Sequence, residues 1–210
     1  MKAVILGGIG TKAKHVLKTV NIYKNKGITP TFYEAEGVFG NSLYREKIYT
    51  KKSNDIINQI KSDNIPYILH CISGSNWLGY EINSKIQAKS IILESSPIEP
   101  STQCFQNFIK VNYNINISKS VVEFLMNSLE IPTRKDDKFN KWYTNNKPSQ
   151  NTLILAGAMD KLIDINYIKK EYLSSNSNNK LVIFKNSGHC NISKREYEVY
   201  KNILENFISE

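Results

Sequence analysis

Residues Tyr67–Tyr80 read YILHCISGSNWLGY, and the fold turns on how they are read. Pro66 precedes Tyr67-Ile68-Leu69, an apolar run of strand length. The run breaks into the small residues Cys71-Ile72-Ser73-Gly74-Ser75, and from Asn76 the chain can turn helical. A strand, a sharp turn through a serine and a helix make the outline of a nucleophile elbow, usually G-x-S-x-G. The flanks must be small because the serine sits on a strained turn. Here the pattern is C-x-S-x-S: Cys71 and Ser75 are small, but neither is glycine. Ser75 is the poorer nucleophile, with Trp77 two residues on. The stretch also reads as a buried strand ending in a polar loop, since Ser-Gly-Ser is ordinary turn chemistry.

Outward from this stretch, strands and helices alternate. Lys2–Leu6 predicts a first strand, Gly7-Gly8-Ile9-Gly10 a turn, and Lys12–Lys24 a helix with Ala13, Val16, Leu17 and Val20 on one face. Gly27 closes that helix. Thr31–Glu36 predicts a second strand, and Gly37–Lys52 a loop without period. Ser53 can cap a helix through Ser62 with Ile56, Ile57 and Ile60 inward. After the elbow strand and its helix to about Ile86, Ser90–Leu93 predicts a fourth strand, broken by Pro97 and Pro100. Thr152–Gly157 and Lys180–Phe184 predict the fifth and sixth, with a helix capped by Asp164 between them. A last helix spans Lys194–Ile208, with Tyr197, Tyr200, Leu204 and Phe207 on one face. This alternation implies a doubly wound α/β fold: a mostly parallel six-stranded sheet covered on both faces by helices.

Ser101–Pro148 differs in texture, being polar and rich in Asn and Lys. Its clear helix is Ser118–Leu129, with Val121, Val122, Leu125 and Leu129 inward. It reads as a cap inserted, at about residues 101–148, into a single domain spanning 1–210. The helix is expected over the carboxyl edge of the sheet, with Tyr113, Phe124, Trp142 and Tyr143 as candidates for a pocket wall.

Two sites compete for the sheet. Gly8-Ile9-Gly10-Thr11-Lys12-Ala13 fits G-x-G-x-x-A between a strand and a helix, and Glu34 and Glu36 end the next strand near where a ribose-binding acid would lie. That is the nucleotide-dependent oxidoreductase reading. The other rests on three strand ends. Ser73 follows the third strand, Asp160 the fifth and His189 the sixth, so all three can meet on one sheet edge. Singly, Asp160 also reads as a turn residue and His189 as a loop histidine. Together, in the order Ser, Asp, His, they fit nucleophilic catalysis.

At these residues the chain resembles the α/β-hydrolase superfamily. ILHCISGS is like its elbow, LILAGAMDKLID like its acid strand, VIFKNSGHCN like its histidine loop, and LGGIG stands where the family has its oxyanion loop. Within the superfamily it is similar to the poorly characterised group that includes transmembrane protein 53, through the opening LG-x-x-G, the serine elbow and Ser96-Pro97. The resemblance implies the strand order 2-1-3-4-5-6. It also implies a serine hydrolase of esters, thioesters or other small acyl substrates, without cofactor or metal. Ser73 would be the nucleophile, His189 the base and Asp160 its partner, with Glu94 as reserve acid. The N–H groups of Gly74 and of Ile9 or Gly8 would form the oxyanion hole. His70 reads as a packed strand-end residue and His15 as exposed. A hydrolase fold kept as a binding or scaffold protein stays open as an alternative.

Composition agrees with a globular chain. The 210 residues are 40% hydrophobic and 22% charged. The net charge of +9 is spread along the chain, mostly as Lys, without a zinc-finger spacing or an Arg-rich arm, so no nucleic-acid partner is expected. Cys71, Cys104 and Cys190 are an odd number without metal spacing, which points to free thiols in a reducing compartment. Apolar runs are too short for a membrane helix, and Met1-Lys2 leads directly into a strand without a signal-peptide pattern. The expectation is a soluble cytoplasmic protein acting on a small molecule. The sequence leaves its oligomeric state open.

Overall fold

The computed structural model describes residues 1–8, 10–34, 42–96, 102–128, 150–173 and 179–210. Six strands, β1 (Lys2–Gly7), β2 (Thr29–Glu34), β3 (Tyr67–Ile72), β4 (Ser90–Glu94), β5 (Thr152–Gly157) and β6 (Asn179–Phe184), form one sheet in the order β2-β1-β3-β4-β5-β6. All five pairings are parallel. The expected order and the parallel arrangement are both found.

The inner strands β3, β4 and β5 are buried at every position. That is why they read as continuous apolar runs rather than alternating ones. The pleat divides their side chains between two cores. Val4, Leu6, Leu69, Cys71, Leu93 and Ile154 pack with Ile56, Leu78 and Ile168 from α2 (Ser42–Asp63), α3 (Asn76–Lys85) and α6 (Ile165–Leu173). Ala3, Ile5, Ile68, Ile92 and Leu155 pack on the other face with Ile22 and Tyr23 of α1 (Leu17–Asn25) and with Tyr200 and Leu204 of α8 (Tyr197–Ser209).

Several helices depart from expectation. A 3-10 turn, Ala13–His15, precedes α1, which starts at Leu17 rather than Lys12. The late start rotates the inward face onto Thr19, Ile22 and Tyr23 and leaves Leu17 exposed. α2 begins at Ser42, so part of the expected loop is helical and Ser53 lies inside a helix rather than capping one. Its buried hydroxyl donates to Glu81 instead, at 3.1 Å. The closing helix is two, α7 (Ile192–Arg195) and α8, separated at Glu196. The Glu196 carboxylate turns back to accept from Asn186 N–H at 2.9 Å and the Ser187 hydroxyl at 2.6 Å.

In the inserted region, α4 (Thr102–Tyr113) was not expected; α5 (Lys119–Ser128) was. The face of α5 that is covered carries Val122 and Met126, against Phe105 and Ile117. Val121 and Phe124 are exposed, as is Tyr113. Leu129, Trp142, Tyr143, Glu36 and Ile9 lie outside the described residues. Among the described residues no helix is long and apolar enough to cross a membrane.

Candidate active site

The parallel sheet brings the ends of β3, β5 and β6 to one edge. β3 ends at Ile72, and Ser73 follows with φ of 56°, in the left-handed region. For a residue with a Cβ this conformation costs about 1–3 kcal/mol. A 3-10 turn, Ser73–Ser75, then feeds α3.

Two local devices hold this turn without the usual glycines. The buried Ser75 hydroxyl accepts from Ile72 N–H at 2.9 Å and donates to the Leu6 carbonyl at 2.8 Å, tying the elbow to the end of β1. At the other flank, a Cβ at Gly79 of α3 would collide with Cys71 Sγ. The space that the elbow lacks at position 71 is therefore supplied from the helix.

Ser73 Oγ lies 2.9 Å from His189 Nε2, and His189 Nδ1 lies 2.8 Å from Asp160 Oδ2. Asp160 Oδ1 accepts the N–H groups of Leu162 and Ile163 at 2.8 and 3.1 Å. These bonds fix the carboxylate and orient the imidazole. Met159 N–H of the acid loop donates to the Ser187 carbonyl of the histidine loop at 2.9 Å, and Cys190 N–H ties the histidine loop to Ser95 Oγ, just past β4, at 3.1 Å. Burial disfavours the charged form of His189, but Cys190 and the Asp160 carboxylate outweigh it and raise its pKa from 6.5 to about 10. Burial pushes the Cys71 thiol far up, which leaves it a packing group rather than a nucleophile.

Gly8 lies against the elbow: a Cβ there would stand 2.6 Å from Ser73 Cβ and 2.8 Å from the Ile72 carbonyl. A dinucleotide fingerprint needs its glycine turn to run straight into an α-helix whose N-terminus receives the pyrophosphate. Here the 3-10 turn at Ala13–His15 and then Val16 intervene, and Lys12 Nζ pairs with Glu34 at 2.8 Å.

The side chain of Glu94 bonds to His70 and Tyr200, whereas the His189 Nδ1 partner is Asp160. Glu94 closes β4, 3% exposed, on the face that carries His70. Glu94 Oε2 meets His70 Nε2 at 3.3 Å and accepts the Tyr200 hydroxyl at 2.9 Å. Tyr23 Oη lies 3.0 Å from His70 Nδ1, and Thr19 Oγ1 2.9 Å from Tyr200 Oη. His70 is thus packed, as its strand-end position suggested, but within a polar network that was not anticipated. Its signal was parity: at the ends of adjacent strands, His70 and Glu94 share the face turned to α1 and α8.

Neither a family model nor a curated protein matches the sequence. Solved structures do. An esterase from Pyrococcus furiosus superposes with a TM-score of 0.69 at 15% identity, covering 99% of this chain and 80% of its own. The chain has the α/β-hydrolase fold. A bromoperoxidase from Bacillus anthracis gives a TM-score of 0.67 at 12% identity, covering 100% and 92%. A monoacylglycerol lipase from Paleococcus ferrophilus gives 0.62 at 11%, covering 98% and 93%. The hydrolase fold accounts for the position of each strand end, and at these identities it carries the fold alone. The narrower resemblance to the group that includes transmembrane protein 53 rests on sequence motifs only.

Proposed function

We infer that the chain is a serine hydrolase of small acyl esters or thioesters, working through Ser73, His189 and Asp160. The observation that carries this reading is the pair of hydrogen bonds linking the three across 116 and 29 residues of separation, with the serine on a strained turn. Ser73 Oγ attacks the carbonyl carbon while His189 Nε2 takes its proton. The tetrahedral oxyanion is held by the N–H of Gly74 and that of Gly8 or Ile9, a donor being worth about 2.7–4 kcal/mol in such sites. The bond to the leaving oxygen or sulfur breaks as His189 returns the proton to it. Water then attacks the acyl-serine by the same route, releasing the acid and restoring Ser73. Asp160 keeps the imidazole in the required tautomer and stabilises its charged form.

Residues 1–210 form one domain in this reading, with about 101–148 as its cap. α4 is tied to the acid loop, since Asn107 Nδ2 donates to the Leu162 carbonyl at 3.3 Å. The unbridged thiols of Cys71 and Cys190 suit a reducing cytoplasm. The test is hydrolysis of short p-nitrophenyl esters and thioesters by wild type and His189→Ala. Turnover that is lost in the variant supports the reading. Absence of turnover on every ester and thioester favours a binding or scaffold role.

A further inference from the structure

Beside Ser73 and His189 lies a cavity of about 180 Å³. A cavity of ~150 Å³ holds a benzene, so this one takes a group of only a few heavy atoms. Thr11, His15 and Thr19 line it from the first turn and α1, and Glu94 lines it from the end of β4. Although the chain carries 28 Lys and Arg residues, none is among the described residues lining this cavity.

Glu94 is the unusual member. Its two hydrogen bonds, to His70 and Tyr200, both reach Oε2. Among the described residues Oε1 receives none and is not closed off from solvent, and since Glu94 lines the cavity, Oε1 is the acceptor it offers there. Open to the cavity, Oε1 is hydrated until an occupant displaces that water, and because its neighbours fix it, an occupant that brings no donor leaves it unpaired. The occupant that fits this cavity therefore brings a donor of its own.

We propose that Glu94 Oε1 is a specificity determinant, which selects substrates whose short acyl group carries a hydroxyl or ammonium donor. The proposal rests on the serine-hydrolase reading and deepens it. A site built to receive a donor rejects the analogue that lacks one. A hydrogen bond to a charged acceptor corresponds to roughly 10- to 100-fold in discrimination.

Three p-nitrophenyl esters of matched length separate the outcomes: butyrate, 3-hydroxypropanoate and β-alaninate. Each kcat/KM is divided by that ester's rate with hydroxide. Wild type should prefer at least one donor-bearing ester over butyrate by about 10-fold or more. Glu94→Gln should reduce that preference at least 10-fold for the ammonium ester, a ratio that does not depend on the fraction of folded enzyme. Which donor ester leads identifies the group. Equal use of all three, or a preference for butyrate, overturns the proposal while leaving the hydrolase reading intact. So does a preference undiminished in Glu94→Gln. Failure to cleave any ester, with Ser73 inert to a fluorophosphonate, overturns both.

Discussion

Cys71 Sγ fills the space that a side chain at position 79 would need. One turn of α3 therefore compensates for the absence of glycine at the elbow's first flank. Gly79→Ala should destabilise the fold by about 1–3 kcal/mol through overpacking. Cys71→Gly should relieve the clash, so urea denaturation of both single variants and the double should show a coupling of about 0.5–3 kcal/mol. Strict additivity would mean that the two positions do not meet.

Gly8 makes the second close approach, and its neighbours are backbone and the serine itself. Neither can yield without moving the elbow. Gly8→Ala should lower kcat/KM about 100-fold, the penalty typical of misplacing a reacting group by ~1 Å, with the far-ultraviolet circular dichroism unchanged. Full activity would place Gly8 outside the site.

Asp160, not Glu94, faces the imidazole. Asp160→Asn retains the shape but favours the wrong histidine tautomer, so kcat should fall by about 10⁴. A loss below 10-fold would remove Asp160 from the mechanism.

His189 must be neutral to accept the serine proton, and its pKa is raised to about 10. Activity should therefore climb with pH well above the ordinary histidine value of 6.5. Cys190→Ser removes one of the causes and should move that limb towards lower pH. The same shift has a sign in stability. The folded pKa exceeds the unfolded one, so this contribution is full below about 6.5 and is lost as pH rises through about 10. A limb centred near 6.5 in both proteins would contradict the assigned environment.

The strands were legible because buried parallel strands leave unbroken apolar runs, and Tyr67–Ile72 and Thr152–Gly157 stand out in a polar chain. Their order followed from the resemblance that Ser73, Asp160 and His189 supported. The helices were less legible where their faces are only half covered. α4 carries Gln103, Asn107 and Asn112 among its apolar residues, and none of its residues is fully buried. Neighbouring valines also mislead: both suit the pattern, but packing chose Val122 over Val121. The Glu94–His70–Tyr200 network depends on which face each strand end presents, and the strand assignments did not extend to that parity.

The most direct measurement is labelling with a broad fluorophosphonate probe, followed by mass mapping of the modified peptide. An activated serine on a strained turn should react, with the label on Ser73 and none on Ser75. Labelling should vanish in Ser73→Ala and fall sharply in His189→Ala. A folded wild-type protein that takes up no label, or takes it up equally in Ser73→Ala, would contradict the account.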